Sequence, residues 1–190
     1  MGDIFASLWG SAILVIGVVV VLLMIFTYNK LVSLRQNCKQ GIADIDAQLR
    51  QRHDLVPNLV NTVKGYAGHE QETFEQVIAA RNTAAQGQPS SVHEARLKLS
   101  LDRLLALGEA YPELKASANF QGLQDELADI EDKLAAARRA LNAAVSRYNA
   151  ARESFPAILF AGLLGFKEGD FHRLDASEQG VVDQVPDVRF

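Results

Sequence analysis

Residues 4–28 form an unbroken stretch of 25 uncharged, mostly apolar residues, and no other feature of the sequence restricts the fold more. As an α-helix this stretch rises roughly 37 Å, more than the bilayer hydrocarbon thickness of about 30 Å, so it spans with some tilt. It is far longer than the apolar core of a signal peptide. No basic segment precedes it and no Ala-x-Ala site follows; it runs directly into Lys30, Arg35 and Lys39. These features predict an uncleaved transmembrane anchor over residues 1–29. Ile4, Leu8, Leu14, Val18, Leu22 and Phe26 are among its candidate anchor residues. Trp9 and Tyr28 sit near its ends, where aromatic rings with a polar edge favour the headgroup level. The basic residues cluster on the C-terminal flank, so the positive-inside rule predicts a single-pass inner-membrane protein with a short N-terminus outside and the bulk of the chain cytoplasmic.

Composition matters mainly for what it excludes. Residues 30–190 carry all 19 Lys and Arg and 22 of the 23 Asp and Glu, a net charge near −3. A general nucleic-acid binder is normally basic, so no nucleic-acid partner is expected. The single cysteine, Cys38, rules out an internal disulfide framework and agrees with a cytoplasmic location. It lies where either a small apolar seam residue or a juxtamembrane palmitoylation site is conceivable.

Beyond the anchor, Leu31, Leu34, Cys38, Ile42, Ile45, Leu49, Val56, Leu59, Val63 and Tyr66 recur in steps of three and four, with Arg52 filling one slot. The mean step is that of a coiled-coil-like seam. Pro57 takes away the amide that would bond the carbonyl of His53, so a joint is expected near residues 53–57, with Asp54 capping a second helix that runs to about Thr83 across Gly65 and Gly68. Residues 84–90 read as a turn, followed by a capping box at Ser91 and Glu94 and a third helix to about Leu107. Residues 113–155 hold no proline and one glycine, and form the strongest helix signal. Phe120, Leu123, Leu127, Ile130, Leu134, Ala137, Leu141, Ala144 and Tyr148 give it a second seam of the same period. The expected fold is all-α: the transmembrane helix continues into an elongated antiparallel bundle of about four long helices spanning residues 30–155. Residues 156–166 are apolar but too short to span; they pack on their own bundle, on a neighbouring subunit or on a membrane surface. From Lys167 the tail holds six acids to three bases and reads as solvated and partly mobile.

Chemistry is sparse. The four histidines are scattered, and His69-Glu70 lacks the second histidine four residues on that a zincin helix needs, so no metal site is expected. Neither a Walker loop nor a Gly-x-Ser-x-Gly elbow occurs, and no catalytic residue, cofactor or small-molecule substrate is expected. One cluster stands out: Asp44, Asp46, Arg50, Arg52, His53 and Asp54, just before Pro57 and Asn58. It reads either as a solvated face with pairs such as Asp46–Arg50, each worth about 0.2–0.5 kcal/mol, or as an interface whose ion pairs set the register of neighbouring subunits.

The chain resembles the LemA family. The resemblance rests on Tyr28-Asn29-Lys30-Leu31-Val32 with Leu34-Arg35, on Ile45-Asp46, Gln48-Leu49, Arg52 and residues 54–60, and on residues 62–67 with His69-Glu70. Ala80-Arg81, residues 110–116, Asn119-Phe120, Leu123-Gln124 and Tyr148-Asn149 follow in order, so it covers about residues 5–170. Two departures are Gly41-Ile42-Ala43, where the family commonly has an Ala-Trp-Ser-like stretch, and Leu141, near which it has a tyrosine. The resemblance implies a membrane-anchored helical bundle with no known catalytic activity. Relatives are linked to a membrane zinc protease of the heat-shock response or to magnetosome membranes. Two functions follow as expectations: a homo-oligomeric scaffold on the lipid bilayer, or an adaptor or sensor for such a protease.

Overall fold

In a computed structural model the chain is described over residues 2–86 and 90–169, with side chains from residue 9 onward, and every regular element among these residues is helical. In order they are α1 (Gly2–Lys64), α2 (Gln71–Ala85), α3 (Ser91–Ala110), α4 (Pro112–Lys115), α5 (Ala118–Glu153) and α6 (Ala157–Phe160). All-α architecture with one long apolar N-terminal helix is therefore the observed fold, although the four long helices expected from sequence are six elements of unequal length. Of the acidic tail expected to be solvated from Lys167 on, only residues 167–169 are described, and the rest lies outside the described residues.

The apolar run forms the start of α1, and its most apolar 18-residue window has a mean hydropathy of 2.8 with only 6% of it buried. That exposure separates it from the core helix of a soluble protein, which passes the same length test but is mostly covered. Trp9, Leu14, Val18, Leu22, Phe26 and Tyr28 are all exposed. Ile4 and Leu8 lie in the helix, with side chains outside the described residues.

Two compact units make up the described chain. One comprises residues up to Gly41 with Ala140–Gly169, the other Ile42–Arg139. In the first, Leu31, Cys38, Leu141, Ala144 and Tyr148 are buried. Gly41 comes close to Leu141: a Cβ at Gly41 would lie 3.2 Å from the leucine Cβ. The two departures from the family pattern thus occupy one packing contact, small residue against branched one. Burial pushes the Cys38 thiol above its usual range, over the opposing pull of Arg147. A covered, less acidic thiol is a packing residue of the seam rather than a reactive one.

The second unit packs the C-terminal part of α1 with α2, α3, α4 and the first two-thirds of α5. Ile45, Leu49, Val56, Leu59 and Val63 of α1 are buried, as are Phe74 and Val77 of α2, Leu97, Leu101 and Leu104 of α3, and Phe120, Leu127, Ile130 and Leu134 of α5. Both sequence seams are therefore core, with Leu34, Ile42, Leu123 and Ala137 half-buried along them. Tyr66 is the exception: α1 ends at Lys64, and Tyr66 falls in the following turn, 45% exposed.

The helix boundaries differ from expectation in three places, each for a local reason. The break expected at residues 53–57 is absent, and Pro57 lies inside α1. The interruption comes instead at residues 65–70, where Gly65 and Gly68 flank a turn in which the amides of Tyr66 and Ala67 both bond the carbonyl of Val63. The long C-terminal helix is split because Ser117 bonds back to Leu114, while the side-chain amide of Gln121 donates to the carbonyl of Lys115 at 3.0 Å, closing α4 before α5 begins. The capping box does not form. Ser90 is the N-cap residue of α3, without a side-chain cap bond, and the Glu94 carboxylate points elsewhere.

At the end of α3, Gly108 is buried under the ring of Phe120, which has no solvent exposure. A Cβ at position 108 would clash with Cζ of the buried ring, so the ring must shift to admit it. Gly108→Val is expected to destabilise the protein by about 2 kcal/mol through overpacking. Adding Phe120→Leu should return part of that loss in chemical denaturation, because it vacates the same space; strictly additive losses would contradict the contact.

Candidate functional site

Arg52 occupies a seam position of α1, so its guanidinium is carried into the core of the second unit, where a charge is tolerated only if paired. It is 2% exposed. Its Nη2 bonds Glu94 Oε2 from the first turn of α3, and its Nη1 donates to Glu131 Oε1 of α5 at 2.6 Å. His53, the next residue on α1, is also buried, and its Nε2 lies 3.0 Å from the other Glu94 oxygen. An ionised carboxylate only accepts, so this ring nitrogen is the donor. Glu94 is thus buried at 3% exposure with both oxygens satisfied. Its place in the first turn of α3 adds the favourable end of the helix dipole.

Burial pushes the Glu94 carboxyl up, but the hydrogen bond from His53 and the Arg52 charge outweigh it and hold the group below the usual carboxylate range. Leaving such a pair half-made costs more than the pair gains. Removing one partner of a buried ion pair typically costs about 3–5 kcal/mol, whereas replacing both by well-packed apolar residues is often neutral.

Arg81 of α2 completes the arrangement and explains the intact helix at Pro57. A proline inside a helix costs about 3 kcal/mol, in part because the carbonyl four residues earlier loses its amide partner. Here that carbonyl belongs to His53, and Arg81 Nε donates to it at 3.1 Å. The side chain of α2 supplies the bond that the backbone of α1 cannot. Arg81 Nη2 also lies 3.8 Å from Asp54, whose carboxylate is exposed, so this second contact adds little.

The expected cluster therefore divides. Arg52 and His53 turn inward and are held by partners in the same chain, whereas the sequence offered either a solvated face or an intersubunit interface for them; the seam register of Arg52 carries the pair into the core. Asp46 is half-buried and lines a hollow of about 280 Å³ with Leu49, Arg50, His53, Ala84 and Glu94. Arg50, Asp54 and Asn58 are exposed and border a second, shallower hollow. The Asp46–Arg50 pair is not among the ion pairs of the described residues. Pro57 is half-buried beneath the Arg81 contact. Sequence reasoning missed Arg81, Glu94 and Glu131. A charge at a seam position demands a buried counter-charge, which was a usable signal, but nothing local says which of the acids on distant helices supplies it. Among the described residues, no group of three His, Cys, Asp or Glu side chains is placed to share a metal ion.

Two outcomes test this geometry. Arg81→Ala should destabilise the wild-type protein by about 1.5–3 kcal/mol, the value of a hydrogen bond from a charged donor. It should cost clearly less in a Pro57→Ala background, where the restored amide serves the same carbonyl; a double-mutant cycle with no coupling would contradict the role given to Arg81. For Glu94, a depressed folded-state pKa means stability that is complete above the unfolded value of about 4.3 and drains away as pH falls through the folded value. Unfolding free energy should accordingly drop on acidification below about pH 4.3, and Glu94→Gln should flatten that acid limb while lowering stability at neutral pH.

Comparison with known proteins agrees with the sequence resemblance. The sequence model of the LemA family matches residues 41–190. Magnetosome protein MamQ of Magnetospirillum gryphiswaldense is 24% identical over 189 residues, covering 84% of this chain and 70% of that protein. Magnetosome protein MamQ 2 of Paramagnetospirillum magneticum is 24% identical over 199 residues, covering 90% of this chain and 72% of the relative.

Proposed function

This chain belongs to the LemA family, and we propose that it is a membrane-anchored, non-enzymatic structural protein whose helical domain associates with further copies of itself at the membrane. The observation that carries the reading is α1. Its exposed apolar first half has the length of a bilayer crossing, and the same unbroken helix goes on to supply Arg52 and His53 to the buried network. Lys30, Arg35 and Lys39 follow the apolar run, which favours a domain on the cytoplasmic face of the inner membrane.

The non-enzymatic part of the proposal rests on how the polar groups are used. A general acid or base must be free to exchange a proton with a substrate. The His53 ring nitrogen, both Glu94 oxygens and both Arg52 terminal nitrogens are already spent on each other and on Glu131. The hollow beside them adds Asp46 and Arg50, with no Ser, Cys or Lys among the described residues of its lining.

Self-association is supported by the outward side of α3. Val92 and Leu99, seven residues apart and so on one helix face, are 68% and 55% exposed. Full-length protein in lipid nanodiscs or mild detergent should be larger than a monomer by light scattering at micromolar concentration. Val92→Glu with Leu99→Glu should shift it toward monomer without lowering its melting temperature. A monodisperse wild-type monomer overturns the scaffold reading, and a one-to-one complex with a membrane protease would replace it with the adaptor.

A further inference from the structure

The residues after α5 are the most exposed apolar surface outside the anchor. Phe155, Ile158, Leu159 and Leu163 are 79%, 59%, 58% and 85% exposed. The segment is nevertheless folded and docked, because Ala157, Ala161 and Phe166 from its other side are buried. Phe166 packs edge-on against Tyr28 with ring centres 5.6 Å apart, and the Arg35 guanidinium lies 5.2 Å from its ring centre. The Tyr148 hydroxyl donates to the carbonyl of Lys167 at 2.9 Å, and the Gly169 amide donates to Asn149 Oδ1 at 3.1 Å. Gly165, at φ +75°, makes the turn that allows this return. At the other end, Phe155, Pro156 and Ala157 share a hollow with Leu23, Phe26, Thr27, Lys30 and Leu31 of α1.

These contacts set the depth of the segment along the anchor. From Trp9 to Tyr28 a helix rises about 29 Å, close to the thickness of a bilayer core, so Tyr28 marks the level where hydrocarbon gives way to headgroups. Residues 155–166 lie beside α1 between Leu23 and Arg35, on both sides of that level. Lys30 and Arg35, about 3 and 10 Å beyond Tyr28 along α1, and Lys167, next to Phe166, provide positive charge near that height, matching anionic headgroups.

We infer that residues 155–166 form an interfacial segment that inserts Phe155, Ile158, Leu159 and Leu163 into the leaflet surrounding the anchor, giving the protein a second, non-spanning membrane contact. The inference rests on the anchor proposed above. A docked apolar edge at the height of the boundary gains by burial in acyl chains what it would otherwise lose by exposure to water.

The test uses the full-length chain with Cys38→Ala and one new cysteine at Ile158, Leu163, Val18 or Gln40. Each variant carries the environment-sensitive dye NBD and is reconstituted in phosphatidylcholine–phosphatidylglycerol vesicles containing doxyl-labelled phosphatidylcholine. Val18 reports the anchor, and Gln40, about 18 Å beyond Tyr28 along α1, reports water. Labels at 158 and 163 should be quenched several-fold more than at Gln40 by doxyl groups near the headgroup, and be protected from aqueous iodide. Val18 should respond most to doxyl groups deep in the chain. Iodide access at 158 and 163 equal to that at Gln40, with Val18 still quenched, overturns the inference and leaves the anchor standing. Shielding from both iodide and doxyl lipid assigns the patch to a second copy and overturns it as well. An unquenched Val18 removes the anchor reading and the inference with it.

Discussion

A charge at a seam position can be buried in very few ways, and the second unit of this protein is organised around one of them. Arg52 faces Glu94 of α3 and Glu131 of α5, while His53 holds the remaining Glu94 oxygen. Apolar seams alone tolerate slippage, since one leucine fits a neighbouring hole nearly as well as the next. A one-turn slip here would strand a guanidinium and a carboxylate in a dry interior, and the penalty for that exceeds what any pair of buried leucines gains. The network therefore opposes slippage among α1, α3 and α5.

Arg81 extends the same logic to the backbone. By donating to the carbonyl of His53, it lets a proline sit within α1 without ending it, and it ties α2 to the residue that grips α3. Continuity of α1 is thus partly a tertiary property. That continuity puts the apolar run and the residues that order the second unit on one helix.

In the first unit the residues after α5 return against α1 through Phe166, and the same return leaves four large apolar side chains outward. The two compact units thus differ in what they hold in place. One orders an apolar surface beside the apolar start of α1, and the other encloses Arg52, His53 and Glu94.

Much of this was legible in the chain itself. The length of an apolar run and the coiled-coil-like spacing of both seams depend only on neighbouring residues, so they identified an all-helical protein with an apolar leading helix and named most of its core. Arg52 in a seam slot carried a signal of burial that reading its cluster as a solvated face or an intersubunit interface did not use. What the sequence could not decide was which partners meet. Pro57 reads as a break because the donor that compensates it is Arg81, 24 residues away, and Glu94 reads as a helix cap because its true partners lie on another helix. The same holds for Phe166, whose docking against Tyr28 and Arg35 joins residues more than a hundred positions apart. Local geometry is written in local sequence, but satisfaction of a buried polar group is a non-local condition, and only the packed structure states how it is met.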